Sequence, residues 1–297
     1  MQPRAQLNLV LLGVILVLGL LVIYTDYREK PVPSPQLTDL TTEQVQNIRI
    51  ERAEDVIALN KDAQGQWFIT EPLNIAAHTF RVDQLLKLLS TTQYQLVNSD
   101  SLKLADLKLQ PPLVRVVFNE LPIAFGDSSP LNDGQRYVQV HQNIYLLLDT
   151  LYPALIDEIT TFISLSPLGH SPKITELKLP EYHLSLKEGL WQLLSAPPEY
   201  VDISADAISG LIGNWQTAQA FTVKPYESKA TPQGEVIVTL QGQAQPIHLA
   251  IVATEPELIF ALPQKGIQYH FSVHQLEKLL YLPKKAVKDE VGHPTTP

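Results

Sequence analysis

Apolar residues fall along this chain in three patterns. The first is an unbroken run from Leu7 to Tyr24, LNLVLLGVILVLGLLVIY, in which Asn8 is the only strongly polar member. As a helix rising about 1.5 Å per residue, it would span about 27 Å, close to the hydrocarbon thickness of a bilayer. A core helix shows one apolar stripe rather than apolar residues all round, so the run predicts a membrane anchor, with Tyr24 and Tyr27 at its interface. A cleaved signal peptide would need small residues after a shorter apolar core. No alanine occurs between Ala5 and Ala53, which favours an uncleaved anchor. Arg4 precedes the run while Arg28 and Lys30 follow it, so the basic residues do not fix orientation. A short tail before a large domain is the usual form of a signal anchor. It places most of the chain outside the cytoplasm, in the periplasm of a bacterium with two membranes.

The second pattern is alternation with a period of two, as in Val114-Arg-Val-Val-Phe118 and Val236-Ile-Val-Thr-Leu240. It predicts strands with one buried face. Close spacing and tight turns favour antiparallel pairing. The third pattern is helical: Val82, Leu85, Leu86 and Leu89 share one face, as do Ile208, Leu211, Ile212 and Trp215.

These patterns recur. Gly65-Gln-Trp67 matches Gly189-Leu-Trp191, Ile123-Ala-Phe125 matches Ile247-His-Leu249, and Ile144-Tyr145-Leu146 matches Gln268-Tyr269-His270, all at a separation of 124 positions. A constant offset over three separated segments predicts an internal duplication, in which Trp67 and Trp191 are equivalent core residues. The expected fold class is α+β: an N-terminal transmembrane helix, then two similar modules of mostly antiparallel sheet with one main helix each. The expected boundaries are 1–30 for the cytoplasmic tip and anchor, 31–44 for a proline-rich spacer, 45–166 and 167–283 for the modules, and 284–297 for a flexible tail.

The Gly-x-Trp strand with a proline soon after it, and the run Phe125-Gly126-Asp127 … Tyr137-Val-Gln-Val140 … Ile144-Tyr-Leu-Leu147, resemble a bacterial membrane-anchored family. That family is catalogued as domain of unknown function four-three-four-zero. The resemblance implies a membrane-tethered protein. It also implies a possible association with ABC-type transport components of the gliding-motility kind, beside which some members are encoded. It brings no catalytic residues. The second module departs from the pattern, with Ala250 in place of Gly126 and no counterpart of Asp127.

Composition narrows the function classes. The net charge is −9, which disfavours nucleic acid and anionic lipid as partners. There is no cysteine, so disulfides, thiolate metal sites and thiol catalysis are excluded. The 23 prolines outnumber the 13 glycines, which favours defined turns over flexible linkers.

The candidate chemistry is sparse. Asp127, Ser128, Ser129, Asn132 and Asp133 precede Gly134, but their spacing fits no EF-hand, and Asx turns explain such a loop. His270 and His274 stand four apart, as helical zinc ligands can, yet a strand-to-helix boundary falls between them and no H-E-x-x-H pattern surrounds them. Gly169-His-Ser171 lacks the final glycine of a nucleophile elbow and suits a linker between modules. No catalytic, cofactor-binding or metal-binding residue is therefore expected, and no cofactor. The expected function is a membrane-tethered periplasmic scaffold or accessory subunit. Its partner would be an envelope or inner-membrane protein, an ABC-type transport system among the candidates. Two alternatives stand beside it: an envelope hydrolase using Asp127 and Asp133, and a module binding glycan or another small ligand.

Overall fold

The computed structural model describes residues 13–15, 17–19, 35–98, 102–131, 134–196, 198–227 and 231–285. The expected anchor, Leu7 to Tyr24, lies largely outside them. Its two described pieces, 13–15 and 17–19, are helical, with Val14, Ile15, Val17 and Leu18 exposed. Among the described residues no helix is long and apolar enough to cross a membrane. The expected spacer lies partly, and the expected tail mostly, outside the described residues.

The first module runs β1 (Asn47–Glu51), β2 (Val56–Lys61), β3 (Trp67–Glu71), β4 (Ile75–Ala76), α1 (Thr79–Leu89), β5 (Tyr94–Val97), β6 (Val114–Phe118), β7 (Leu121–Ser128), β8 (Gln135–Val140), β9 (Asn143–Leu148) and α2 (Tyr152–Ile156). The second runs β10 (Ile174–Lys178), β11 (His183–Lys187), β12 (Leu190–Leu193), α3 (Ala205–Gln216), β13 (Thr222–Pro225), β14 (Gly234–Leu240), β15 (Ile247–Ala253), β16 (Glu257–Leu262), β17 (Ile267–Ser272) and α4 (Leu276–Leu280). The first sheet is ordered β4-β3-β2-β1-β6-β7-β8-β9-β5, the second β12-β11-β10-β14-β15-β16-β17-β13. With β4 set aside the two orders are the same, and the named strands pair antiparallel throughout. This is the α+β, two-module layout that the sequence repeat implied.

The strand order explains where each main helix lies. The chain leaves the sheet at one edge, after β4 or β12, and re-enters at the other, as β5 or β13. The connecting helix therefore has to cross one face, and its apolar stripe decides which. In α1, Val82, Leu85, Leu86, Leu88 and Leu89 are buried; in α3, Ile208, Leu211, Ile212 and Trp215. Each such side chain contributes about 1.5–3 kcal/mol on burial. Beneath them the strands alternate as expected: Val114, Val116 and Phe118 are buried on β6, and Val236, Val238 and Leu240 on β14. These residues, with Phe162 and Leu168 from the segment joining the modules, form one continuous core cluster.

Trp215 is fully buried, and its Nε1 donates to the Leu279 carbonyl at 2.7 Å. Asn214 Nδ2 donates to the Lys278 carbonyl at 3.0 Å. Two side chains of α3 thus satisfy carbonyls that a short helix leaves open at its end, and so dock α4. Ser204 caps α3, accepting from the Ala207 N–H.

The expected equivalence of Trp67 and Trp191 holds only in part. Both follow a glycine of positive φ by two positions, Gly65 and Gly189, and both lie in third strands. Trp67 is buried because β4 pairs with the outer side of β3. Trp191 is only half-buried, since β12 is the last strand of its sheet. The hairpins also differ. Trp67 pairs with Lys61 across a five-residue loop, whereas Trp191 pairs with Leu186 across a two-residue turn, Glu188-Gly189, with both φ values positive.

Candidate functional site

The polar loop before Gly134 is a strand connection. Asp127 is half-buried, its Oδ1 accepts from the Ser128 N–H at 2.9 Å, and its Oδ2 stands 3.8 Å from Lys108 Nζ. Asn132 and Asp133 lie outside the described residues. The defining contact is at the backbone. The Asp127 N–H donates to the Leu107 carbonyl at 2.8 Å, and a Cβ on Gly126 would stand 2.3 Å from that same oxygen. The long connection between β5 and β6 packs here on the outer face of the first sheet, where Leu107, Leu109, Ala124 and Ile144 form a second small cluster. The second module spans the corresponding gap with residues 226–233 only, which accounts for its alanine at position 250.

His270 and His274 are not joined. His270 belongs to β17, and its Nδ1 meets Glu257 Oε2 at 2.7 Å, while His274 lies in a 3-10 turn, Val273–Gln275. No cluster of three or more histidine, aspartate or glutamate residues that could hold a metal occurs among the described residues. The Gly169-His-Ser segment sits at the junction between the modules, where Ala77 bridges to Ile163 and the Ser164 N–H donates to the Ala76 carbonyl at 2.9 Å.

Two surfaces stand out that residue-type motifs did not mark. The first is the free side of β12. Among the described residues no strand pairs with it there. The turn at Glu188-Gly189 makes Lys187 and Leu190 a hydrogen-bonded pair, and the Leu194 N–H donates to the His183 carbonyl at 2.7 Å. By the antiparallel alternation, the N–H groups of Trp191 and Leu193 point to the open side. Leu190 on this strand and Leu194 just after it are exposed, Leu190 at 70%, and Tyr200 and Ile203 are exposed in the segment that leads on to α3. The corresponding edge of the first sheet is covered by β4.

The second surface is a cleft of about 570 Å³ between the modules. Phe68, Asn74 and Ile75 line it from the first module; Glu235, His248, Gln264 and Lys265 do so from the second, and Ser166 to Gly169 from the junction. Lys265 Nζ donates to the Asn74 carbonyl across the cleft, and burial holds its ammonium below the usual lysine range. Glu235 Oε1 stands 2.9 Å from His248 Nδ1. The His170 ring meets the Phe68 ring edge-on, with centroids 6.1 Å apart. Ser166 Oγ and His170 Nε2 are buried without a hydrogen-bond partner among the described residues.

The cleft was invisible in the sequence because its residues come from segments nearly two hundred positions apart, and glutamine and proline carry no motif. The open edge was hidden as well: among the described residues the second module has no strand matching β4 between its tryptophan strand and its helix, and only the strand order shows it.

The family model described as domain of unknown function (DUF4340) matches residues 67–211. The match runs from the first residue of β3, through the junction, into α3. No curated protein and no solved structure matches the chain.

Proposed function

We propose, from the match of residues 67–211 to the family described as domain of unknown function (DUF4340), that the chain belongs to that family and is a membrane-tethered interaction module of the bacterial envelope. The run Leu7 to Tyr24 would hold it in the inner membrane, with residues beyond the spacer in the periplasm. Its partner would be another envelope or inner-membrane protein, with components of an ABC-type transport system as candidates. The role is that of a scaffold or accessory subunit, and the chemistry is recognition rather than catalysis.

One observation carries this proposal: the open, apolar-flanked side of β12. A strand edge with free N–H and C=O groups is a template for another strand, and soluble proteins usually block such edges with charge, proline or a covering element. Here the exposed positions on and just after the strand are Leu190, Gln192 and Leu194, and the charged pair Lys187-Glu188 is confined to its turn. Strand addition would satisfy the free N–H groups of Trp191 and Leu193, and Leu190 and Leu194 would supply side-chain contacts. The test is to replace Leu190 and Gln192 together by lysine in the full-length protein. Folding and membrane level should be unchanged, while recovery of the envelope partner and the cellular phenotype should be lost. Retention of both would refute the edge as the docking surface.

A further inference from the structure

The cleft between the modules has a composition that the scaffold role does not use. Its charges balance: among the described residues that line it, Lys265 and Glu235 alone are formally charged, and Lys265 is already engaged with the Asn74 carbonyl. A site without net charge has no field to select an ion. It is instead rich in amides, with Gln243, Gln245 and Gln264 on the side of the second module. Each amide offers a carbonyl acceptor and two N–H donors, which suits a ligand whose groups both donate and accept. Phe68 adds an aromatic surface, half-buried and braced by His170. The volume of about 570 Å³ is within the range of about 300–1,000 Å³ typical of small-ligand sites.

One buried polar atom adds an observation independent of the amide lining. Ser166 Oγ belongs to a residue of the cleft wall and has no hydrogen-bond partner among the described residues; His170 stands behind the wall and meets the cleft only through its ring contact with Phe68. Buried polar atoms in folded proteins are as a rule hydrogen-bonded, so such an atom calls for a partner. An extended peptide is a poor match, because Pro167, Pro246 and Pro263 on the walls lack the N–H groups a backbone ladder needs.

We propose that this cleft binds a neutral saccharide of two or three sugar rings, whose hydroxyls pair with the glutamine amides and whose C–H face packs on Phe68. Lys265 and Asn74 join the two walls, so the ligand would be held between modules rather than on either alone. The site is separate from the β12 edge, and its failure would leave the docking proposal untouched.

The test is calorimetric titration of the full-length protein in lipid nanodiscs, which avoids sugar-based detergents. The probes are triacetylchitotriose and maltotriose. At least one should bind saturably with a Kd of about 1 mM or tighter, and the Kd should change little between about 50 and about 500 mM salt, as expected for a neutral ligand. Phe68→Ala should weaken binding at least about tenfold. Since that variant could disturb folding, Gln264→Ala at an exposed position should also weaken it, with an unchanged melting temperature. The proposal is overturned if neither sugar binds by about 10 mM or if both variants bind as tightly as wild type. It is also overturned if the only binding is of citrate or trialanine as control probes.

Discussion

Arg136 on β8 and Asp149 after β9 form an ion pair on the inner face of the first sheet, Nη2 to Oδ2 at 2.8 Å, with the guanidinium 3.5 Å above the Tyr152 ring. A third contact runs from Arg136 Nη1 to the Gly126 carbonyl. The two sheets share their β8–β9 and β16–β17 pairing: Arg136 stands opposite Leu147, and Leu258 opposite Phe271. Counted from β9 and β17, the place of Arg136 is held in the second module by Leu258, and counted from β7 and β15 by Phe260, both fully buried; that of Asp149 is held by Val273. One fold solves the same packing position once with a charge pair and once with hydrocarbon.

That comparison gives a double-mutant test. Asp149→Asn leaves the Arg136 charge buried without its counter-ion and should cost about 3 kcal/mol in chemical denaturation. Arg136→Leu with Asp149→Val imports the second module's solution and should lie within about 1 kcal/mol of wild type, or above it.

The two tryptophans of the repeat should respond unequally. Trp67→Ala empties a site closed by β4 and should cost about 3–5 kcal/mol. Trp191→Ala, on the open edge, should cost about half as much. Equal losses would show that β12 is covered in solution.

Gly126→Ala should be far more disruptive than Ala250→Gly. Its Cβ would press on the Leu107 carbonyl at 2.3 Å and on Leu109 at 2.9 Å. The connection from β5 to β6 has to move, at about 1–3 kcal/mol. Hydrogen exchange at the Asp127 amide should rise, since its acceptor is that same carbonyl.

His78, which precedes α1, is held below the ordinary histidine pKa, first by burial and then by the Arg81 charge. The unfolded chain therefore takes up a proton more readily than the folded one. Stability from this residue is fully present above the ordinary value near 6.5. It declines as pH falls through that value and is lost below the folded-state value. His78→Gln should flatten the stability profile of the wild type between about pH 7 and pH 5, measured as the difference between the two proteins.

Much of the architecture was legible in the sequence, because hydrophobic periodicity is a direct record of which face is buried. The helix stripes from Val82 to Leu89 and from Ile208 to Trp215 are buried as the spacing predicts. The alternation on β6 and β14 likewise follows the burial of one face. The repeat offset located the modules, yet it overstated the likeness of Trp67 and Trp191. Sequence spacing does not report whether a strand has a neighbour on its far side. Nor could it give the role of Gly126, whose missing side chain matters only because the Leu107 carbonyl, from a distant part of the connection before β6, packs against it. The cleft and the β12 edge are assembled by topology. Neither Lys265 beside Asn74 nor the unpaired side of Leu190–Leu193 leaves a local pattern to find.

The most direct measurement of the docking surface is photo-crosslinking in living cells. A benzophenone amino acid would be placed at Leu190, Gln192 or Leu194 of the full-length protein, with Glu54, an exposed position in the first module, as the control. The β12 positions should each yield the same discrete adduct with an envelope membrane protein. That adduct should be absent from Glu54 and should disappear when Leu190 and Gln192 are lysine and the probe sits at Leu194. Adducts of equal yield from Glu54 and from β12, or none from β12 in cells where the protein is active, would contradict docking through this edge.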